Sequence, residues 1–240
     1  MMMAVRLLFP TFIFHRNLLQ EGLPEDIGFK QEYLDLLARE IDAMRRKDPK
    51  GRQISNAYTG WQSNDGCDRH PTFTKLVNRI EKTFSDEVLP FHGITSETHR
   101  MKIKVGNMWA NVNDNMAWNK PHLHNGCWYS GVFYIKADGD EGDFSAIETD
   151  VKVVNDHPAC QRTRNDYNVS PTPGELILFP SAMMHMVEPN MTNKDRYSVS
   201  FNALVQNHTD KYHGDIQDWN PDEFCFDIDE KGNPIFRSSK

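Results

Sequence analysis

Between Phe29 and Met44 apolar residues recur every three or four positions. Phe29, Tyr33, Leu36, Leu37, Ile41 and Met44 share one stripe of "GFKQEYLDLLAREIDAMRRKD", the spacing of an amphipathic helix. The same signature returns in "PTFTKLVNRIEKTFSDEV" through Phe73, Leu76, Val77, Ile80 and Phe84, with Pro71 placed for a first turn. The segment between them, "PKGRQISNAYTGWQSNDGCDRHP", is rich in Gly, Asn and Ser and reads as a loop. Near Met101 the period falls to two. "MKIKVGNMWANVND" sets out Ile103, Val105, Trp109 and Val112, and "SGVFYIKAD", "FSAIETDVKVV", "GELILFP", "HMVEP" and "RYSVSFNALV" follow, separated by Gly, Pro, Asn and Asp. Short strands after a helical segment predict an α+β domain, a sandwich or jelly roll with amphipathic helices packed on one outer face.

Composition narrows this picture. At 240 residues with 38% hydrophobic positions, the chain is long enough for one large core. We expect one domain over 1–240: helical support at about 25–90, a β core at about 101–206 and a tail at 207–240. The net charge of −7 argues against a general nucleic-acid partner, which would want a basic face. No run approaches the ~20 apolar residues of a membrane span. The apolar opening "MMMAVRLLFPTFIFHRNL" is interrupted by Pro10 and His15 and reads as a first strand. Cys67, Cys127, Cys160 and Cys225 form no CxxC pair, which suits a reducing, cytoplasmic setting.

The chemistry lies in three places. In "NKPHLHNGCWYSG", His122 and His124 stand two apart, so a strand would project both rings to one face. Imidazole is the commonest protein ligand for first-row metals, and a third candidate, His185, follows the apolar strand "GELILFP". The remaining histidines (15, 70, 92, 99, 157, 208 and 213) read as surface or satisfied core residues. In "KDRYSVSFNALV", period two places Arg196, Ser198, Ser200 and Asn202 on one face and Tyr197, Val199, Phe201 and Ala203 on the other. An arginine facing inward needs a partner, and a bound carboxylate matches its planar fork. An edge strand with its polar face in water is the plainer alternative. Tyr134, in "GVFYIK", offers a phenol to the same carboxylate. The acidic run "DGDEGD" reads as a turn, since it lacks EF-hand ligand spacing. No GxGxxG, P-loop or GxSxG motif is present.

The order "HLH…SGVFYI…GELILFPSAMMH…RYSVSFN" resembles the Fe(II)/2-oxoglutarate-dependent dioxygenases, which carry a double-stranded β-helix of the jelly-roll, cupin-like kind. More closely, "LLFPTFIF", "SNAYTGWQS", H-x-H…SG-x-x-Y and R-x-S-x-SFN resemble a bacterial and phage branch of 2-oxoglutarate oxygenases related to prolyl hydroxylases. The resemblance implies a hydroxylase using Fe(II) and the cosubstrate 2-oxoglutarate, with dioxygen and a small-molecule or peptide substrate as partners. His122 and His185 match the family's metal histidines, and Arg196 matches the arginine for the far carboxylate of 2-oxoglutarate. Ser198 or Ser200 matches the neighbouring hydroxyl, and Tyr134 the strand tyrosine.

This chain departs from the family at one ligand. The family has His-x-Asp, and His124 stands where the Asp is expected. Three arrangements are open: His122, His124 and His185 all bind the metal; His124 is the first ligand and Gly126 occupies the acidic position; or Glu148 or Asp150 is recruited. The first needs no further assumption. The missing acid also motivates a second function, a non-catalytic cupin-like protein that binds metal and a small acid. A three-histidine redox or isomerase cupin, independent of Arg196, is a third. Asn111, Asn113 and Trp118 are candidates for the substrate side or for plain strand and turn roles. "SNAYTGWQSNDG" is a candidate lid or a loop with a packed Trp61.

Overall fold

The computed structural model describes residues 11–24, 27–94, 101–147, 149, 166–207, 226–228 and 234–236. The N-terminal half holds strand β1 (Phe14–Asn17), helix α1 (Gln31–Lys47), short strands β2 (Asn56–Ala57) and β3 (Trp61–Gln62), and helix α2 (Thr74–Thr83). Then come β4 (Met101–Asn113), β5 (Trp118–His122), β6 (Tyr129–Lys136) and β7 (Phe144–Ile147). The remainder comprises β8 (Asp166–Val169), β9 (Glu175–Pro180), β10 (His185–Val187), β11 (Arg196–Asn207), β12 (Phe226–Ile228) and β13 (Pro234–Phe236). Two antiparallel sheets result: a six-stranded one ordered β1-β9-β6-β11-β4-β3 and a five-stranded one ordered β2-β5-β10-β7-β8. This is the α+β double-stranded β-helix expected from the strand pattern and the resemblance. Strands β12 and β13 pair with each other, and the rest of the tail from 208 lies outside the described residues.

The alternation along β11 explains how the six-stranded sheet works. Tyr197, Val199, Phe201 and Ala203 are buried in the larger core, on the face where Leu34, Leu37 and Ile41 of α1 and Leu76 and Ile80 of α2 also pack. Arg196, Ser198 and Asn202 are buried too, on the opposite face by the period of two. Both faces are therefore covered, and the exposed-edge alternative does not hold. A second, smaller core of Val132, Tyr134, Phe144, Ile177 and Phe179 lies on that inner side, drawn from both sheets.

Four details depart from the sequence pattern. The stripe of α1 runs through Leu34 and Ala38, and Leu36 is exposed, because 3.6 residues per turn carries position 36 off the face that holds 34, 37 and 41. In β4 the buried parity changes from Ile103 to Met108, Ala110 and Val112. The cause is a bulge: Asn202 pairs with Asn107 and Ala203 with Val105, so Gly106 is an extra residue. Trp109 thereby falls on the inner face. The 56–62 segment is no free flap, since β2 pairs with β5 in one sheet and β3 with β4 in the other. Trp61 is buried and donates from Nε1 to the Asp48 carbonyl at 2.8 Å. Finally, β9 and β10, adjacent in sequence, belong to different sheets, which moves His185 across the sandwich.

Gly131 shows how closely β6 is held between β9 and β11. A Cβ there would meet Phe201 Cζ at 2.5 Å and the Ile177 carbonyl oxygen at 2.7 Å. A backbone oxygen in a sheet has little room to retreat, so Gly131→Ala should destabilise the protein by about 1–3 kcal/mol, read as a lower denaturant midpoint.

Candidate active site

His185 opens β10 and pairs in register with His122, the last residue of β5. His124 lies two residues past the strand end, so strand geometry does not place it. Its backbone N–H is bonded instead to the Ser181 carbonyl at 2.8 Å, which folds the turn back over the pocket. The outcome is still a cluster. One ring nitrogen from each of His122, His124 and His185 lies within 4.8 Å of the other two. The Nε2 atoms of His124 and His185 are 3.3 Å apart.

Each ring is held by its surroundings. His122 Nδ1–H donates to the Lys120 carbonyl at 2.6 Å, and His185 Nδ1–H donates to the Met183 carbonyl at 3.0 Å. Carbonyls only accept, so these bonds fix the tautomer and leave Nε2 with its lone pair, the form a metal requires. His185 packs against Phe179 and Phe144, with ring centroids 4.5 and 5.7 Å away. His124 stacks on Trp109 at 5.9 Å.

Burial pushes His185 down to about 3 and His124 to about 4, with the neighbouring His122 adding to both shifts; burial also lowers His122. The rings are thus neutral near pH 7. The sign of the stability effect follows. Below pH 6.5 the unfolded chain takes up protons that the fold refuses until about pH 4 to 3. The metal-free protein should therefore lose stability as pH falls from 6.5, by about 1 kcal/mol per pH unit for each histidine still neutral. Thermal melts at pH 7 and pH 5 check this, and His185→Asn should flatten the dependence.

The same pocket is lined by Arg196, Tyr134, Asn111, Ser198 and Ser200. Arg196 Nη1 donates to the carbonyls of Glu141 and Gly142, the latter at 2.8 Å. Its Nη2 is buried without a hydrogen-bond partner among the described residues, as are the Tyr134 hydroxyl and Asn111 Oδ1. Asn111 Nδ2 donates to Ser200 Oγ at 3.0 Å. Ser198 is the register partner of both Tyr134 and Asn111. Burial pushes the Tyr134 phenol up to about 12, so it is a donor. Unpaired buried donors on a guanidinium and a phenol are costly, and an anionic ligand satisfies both.

The acidic turn supplies something that sequence reading missed. Gly142 (φ +92°) stands where a Cβ would meet the Glu188 carbonyl oxygen at 2.4 Å, so only glycine fits, and its own carbonyl holds Arg196. Carbonyl partners leave no trace in a sequence beyond such glycines. Trp109 and Ser55, also in the pocket, were equally unmarked, although the odd-numbered polar series Asn107, Asn111 and Asn113 in β4 marks the inner face. Asn113 Nδ2 donates to Asn119 Oδ1 at 3.1 Å, a structural bond, and Trp118 is absent from the lining. Among the described residues no carboxylate joins the three histidines; Glu148 and Asp150 lie outside the described residues.

Residues 107–202 match the family described as "Putative 2OG-Fe(II) oxygenase". That match spans the three histidines and Arg196. Similar solved structures share the fold at low identity. A Pseudomonas putida prolyl-4-hydroxylase is 12% identical with a TM-score of 0.52, covering 82% of this chain and 94% of the other. HygX from Streptomyces hygroscopicus, with nickel, 2-oxoglutarate and hygromycin B bound, is 10% identical with a TM-score of 0.52, covering 81% and 83%. A Trichoplax adhaerens prolyl hydroxylase in complex with a hypoxia inducible factor peptide fragment is 10% identical with a TM-score of 0.54, covering 80% and 83%. No curated protein sequence matches. No helix among the described residues is long and apolar enough to cross a membrane.

Proposed function

We propose that the chain hydroxylates a small molecule or peptide at an iron held by His122, His124 and His185, without a carboxylate ligand. Arg196, Tyr134 and one of Ser198 and Ser200 hold the far carboxylate of 2-oxoglutarate in this reading. The observation that carries it is the coincidence in one pocket of three converging imidazoles with the unpartnered Arg196 Nη2 and Tyr134 hydroxyl. Three neutral nitrogen donors suit a first-row ion such as iron. The entire chain then acts as one unit, with α1 and α2 as a rigid support behind the catalytic sheet.

Iron and 2-oxoglutarate together supply the oxidising chemistry, in which dioxygen is consumed, the cosubstrate becomes succinate and carbon dioxide, and a C–H bond becomes C–OH. The chain contributes position and charge. Arg196, anchored on two backbone carbonyls, presents Nη2 to one carboxylate oxygen, and Tyr134 donates its proton as a second bond. Phe144, Phe179 and Val187 line the pocket and keep its polar groups dry, which strengthens those bonds. The carbonyls of Lys120 and Met183 hold His122 and His185 in the tautomer that leaves Nε2 free. Replacing the family's Asp by His124 leaves the site one negative charge short, and the dianionic cosubstrate offsets that deficit.

Succinate formation from 2-oxoglutarate should require added Fe(II) and stop when the metal is chelated. The second reading, a binding protein that keeps metal and 2-oxoglutarate without turnover, rests on the absent acid. Tight 2-oxoglutarate binding with no succinate, across candidate substrates, would decide for it.

A further inference from the structure

A second cavity, of about 400 Å³, shares Ser55, Trp109, His122 and His124 with the cosubstrate pocket but contains neither Arg196 nor Tyr134. It therefore reaches the histidines by a separate approach, and its size falls in the range of small-ligand sites. Three charged residues line it: Arg52, Asp65 and Lys120. Arg52 and Asp65 pair at 2.9 Å, which cancels both charges. Lys120 has no ion-pair partner among the described residues. Its backbone is fixed beside the site, with its N–H donating to the Ser55 carbonyl at 2.9 Å and its carbonyl accepting from His122. Lys120 is exposed, and what sets it apart from the other unpaired lysines is its place on the cavity wall beside His122.

The amides of the cavity are ordered so that donors remain. Ser130 Oγ donates to Asn202 Oδ1 at 2.8 Å, and Asn202 Nδ2 donates to Asn107 Oδ1 at 2.9 Å. Both Asn107 and Asn202 line the cavity. Their oxygens are thus occupied, and Asn107 is left with an amide NH₂ to give. Beside them stands Trp109, a flat apolar surface already stacked on His124. The cavity accordingly offers a cation without an ion-pair partner among the described residues, amide N–H groups and one aromatic face.

Building on the proposed oxygenase site, we propose that the substrate is an anion, presenting a carboxylate or phosphate to Lys120 and carbonyl-type acceptors to Asn107. Its apolar part lies against Trp109, next to the histidines. The chemistry is shared by free organic acids and by acidic side chains of a peptide.

The test uses the full chain loaded with nickel and saturating 2-oxoglutarate, so that the Arg196 pocket is filled and no turnover occurs. Hippurate carries a flat ring, an amide carbonyl and a carboxylate; hippuramide is its neutral counterpart, and phenyl phosphate supplies the second anion. Calorimetric titration should show the anions binding at least about tenfold more tightly than hippuramide, with the advantage falling as salt rises. Lys120→Gln should abolish that advantage. The peptides acetyl-Gly-Glu-Gly-amide and acetyl-Gly-Gln-Gly-amide repeat the comparison, and a preference for the Glu peptide over hippurate assigns the anion to a protein substrate. Equal binding of hippurate, phenyl phosphate and hippuramide overturns the proposal, as does an anion preference that survives in Lys120→Gln. A failure of 2-oxoglutarate itself to bind counts against the Arg196 pocket alone, because the anion preference is still read in the protein loaded with nickel only.

Discussion

Arg196→Met should weaken 2-oxoglutarate binding by two to three orders of magnitude while the nickel affinity stays near that of the parent. The guanidinium is fully buried and anchored through Nη1 on Glu141 and Gly142, so Nη2 is already in place and loses little freedom on binding. Removing it leaves the ligand carboxylate buried without its counter-charge, a situation that costs about 3–5 kcal/mol. Lysine is a poor substitute, because one ammonium cannot replace a fork that binds two carbonyls and a carboxylate together. Titration of 2-oxoglutarate into the nickel-loaded protein measures the effect. A change of less than about threefold would remove Arg196 from the binding site.

His185→Ala should have the largest effect on the metal, lowering nickel or iron affinity by more than about a hundredfold, since loss of even an indirect supporting group costs 10–100-fold. His185 is the most buried of the three histidines and pairs directly with His122 across β10 and β5. Phe179 and Phe144 hold its ring, and among the described residues the metal-ligating cluster holds no fourth His, Cys, Asp or Glu. Metal titration of the purified variant, with circular dichroism to verify folding, gives the result. Retained affinity would mean that the histidine is structural.

How far the sequence carries such an account depends on which interactions write themselves into residue types. The two faces of β11 were legible because period-two alternation is imposed by strand geometry, and burial of both faces made Arg196 chemically conspicuous. The helical stripes were legible for the same reason, apart from the drift that exposes Leu36. The proximity of His185 to His122 was not legible in the pattern and came only through the resemblance, since it depends on the chain crossing between sheets after Pro180. Nor was the placement of His124, which relies on one backbone bond to Ser181 past the end of β5. The Gly106 bulge, which turns Trp109 inward, and the Glu141 and Gly142 carbonyls that anchor Arg196 are backbone features that residue types signal only through an occasional glycine. Long-range register and main-chain partners thus hold what the pattern alone left open.

In the proposed site His124 takes the place of the family's acidic ligand. The most direct measurement is a crystal structure of the full chain with nickel and 2-oxoglutarate. The expected result is nickel bonded to Nε2 of His122, His124 and His185, with the far carboxylate of 2-oxoglutarate on Arg196. Nickel bonded to Glu148 or Asp150, with the His124 ring turned away from it, would rule out His124 as a ligand.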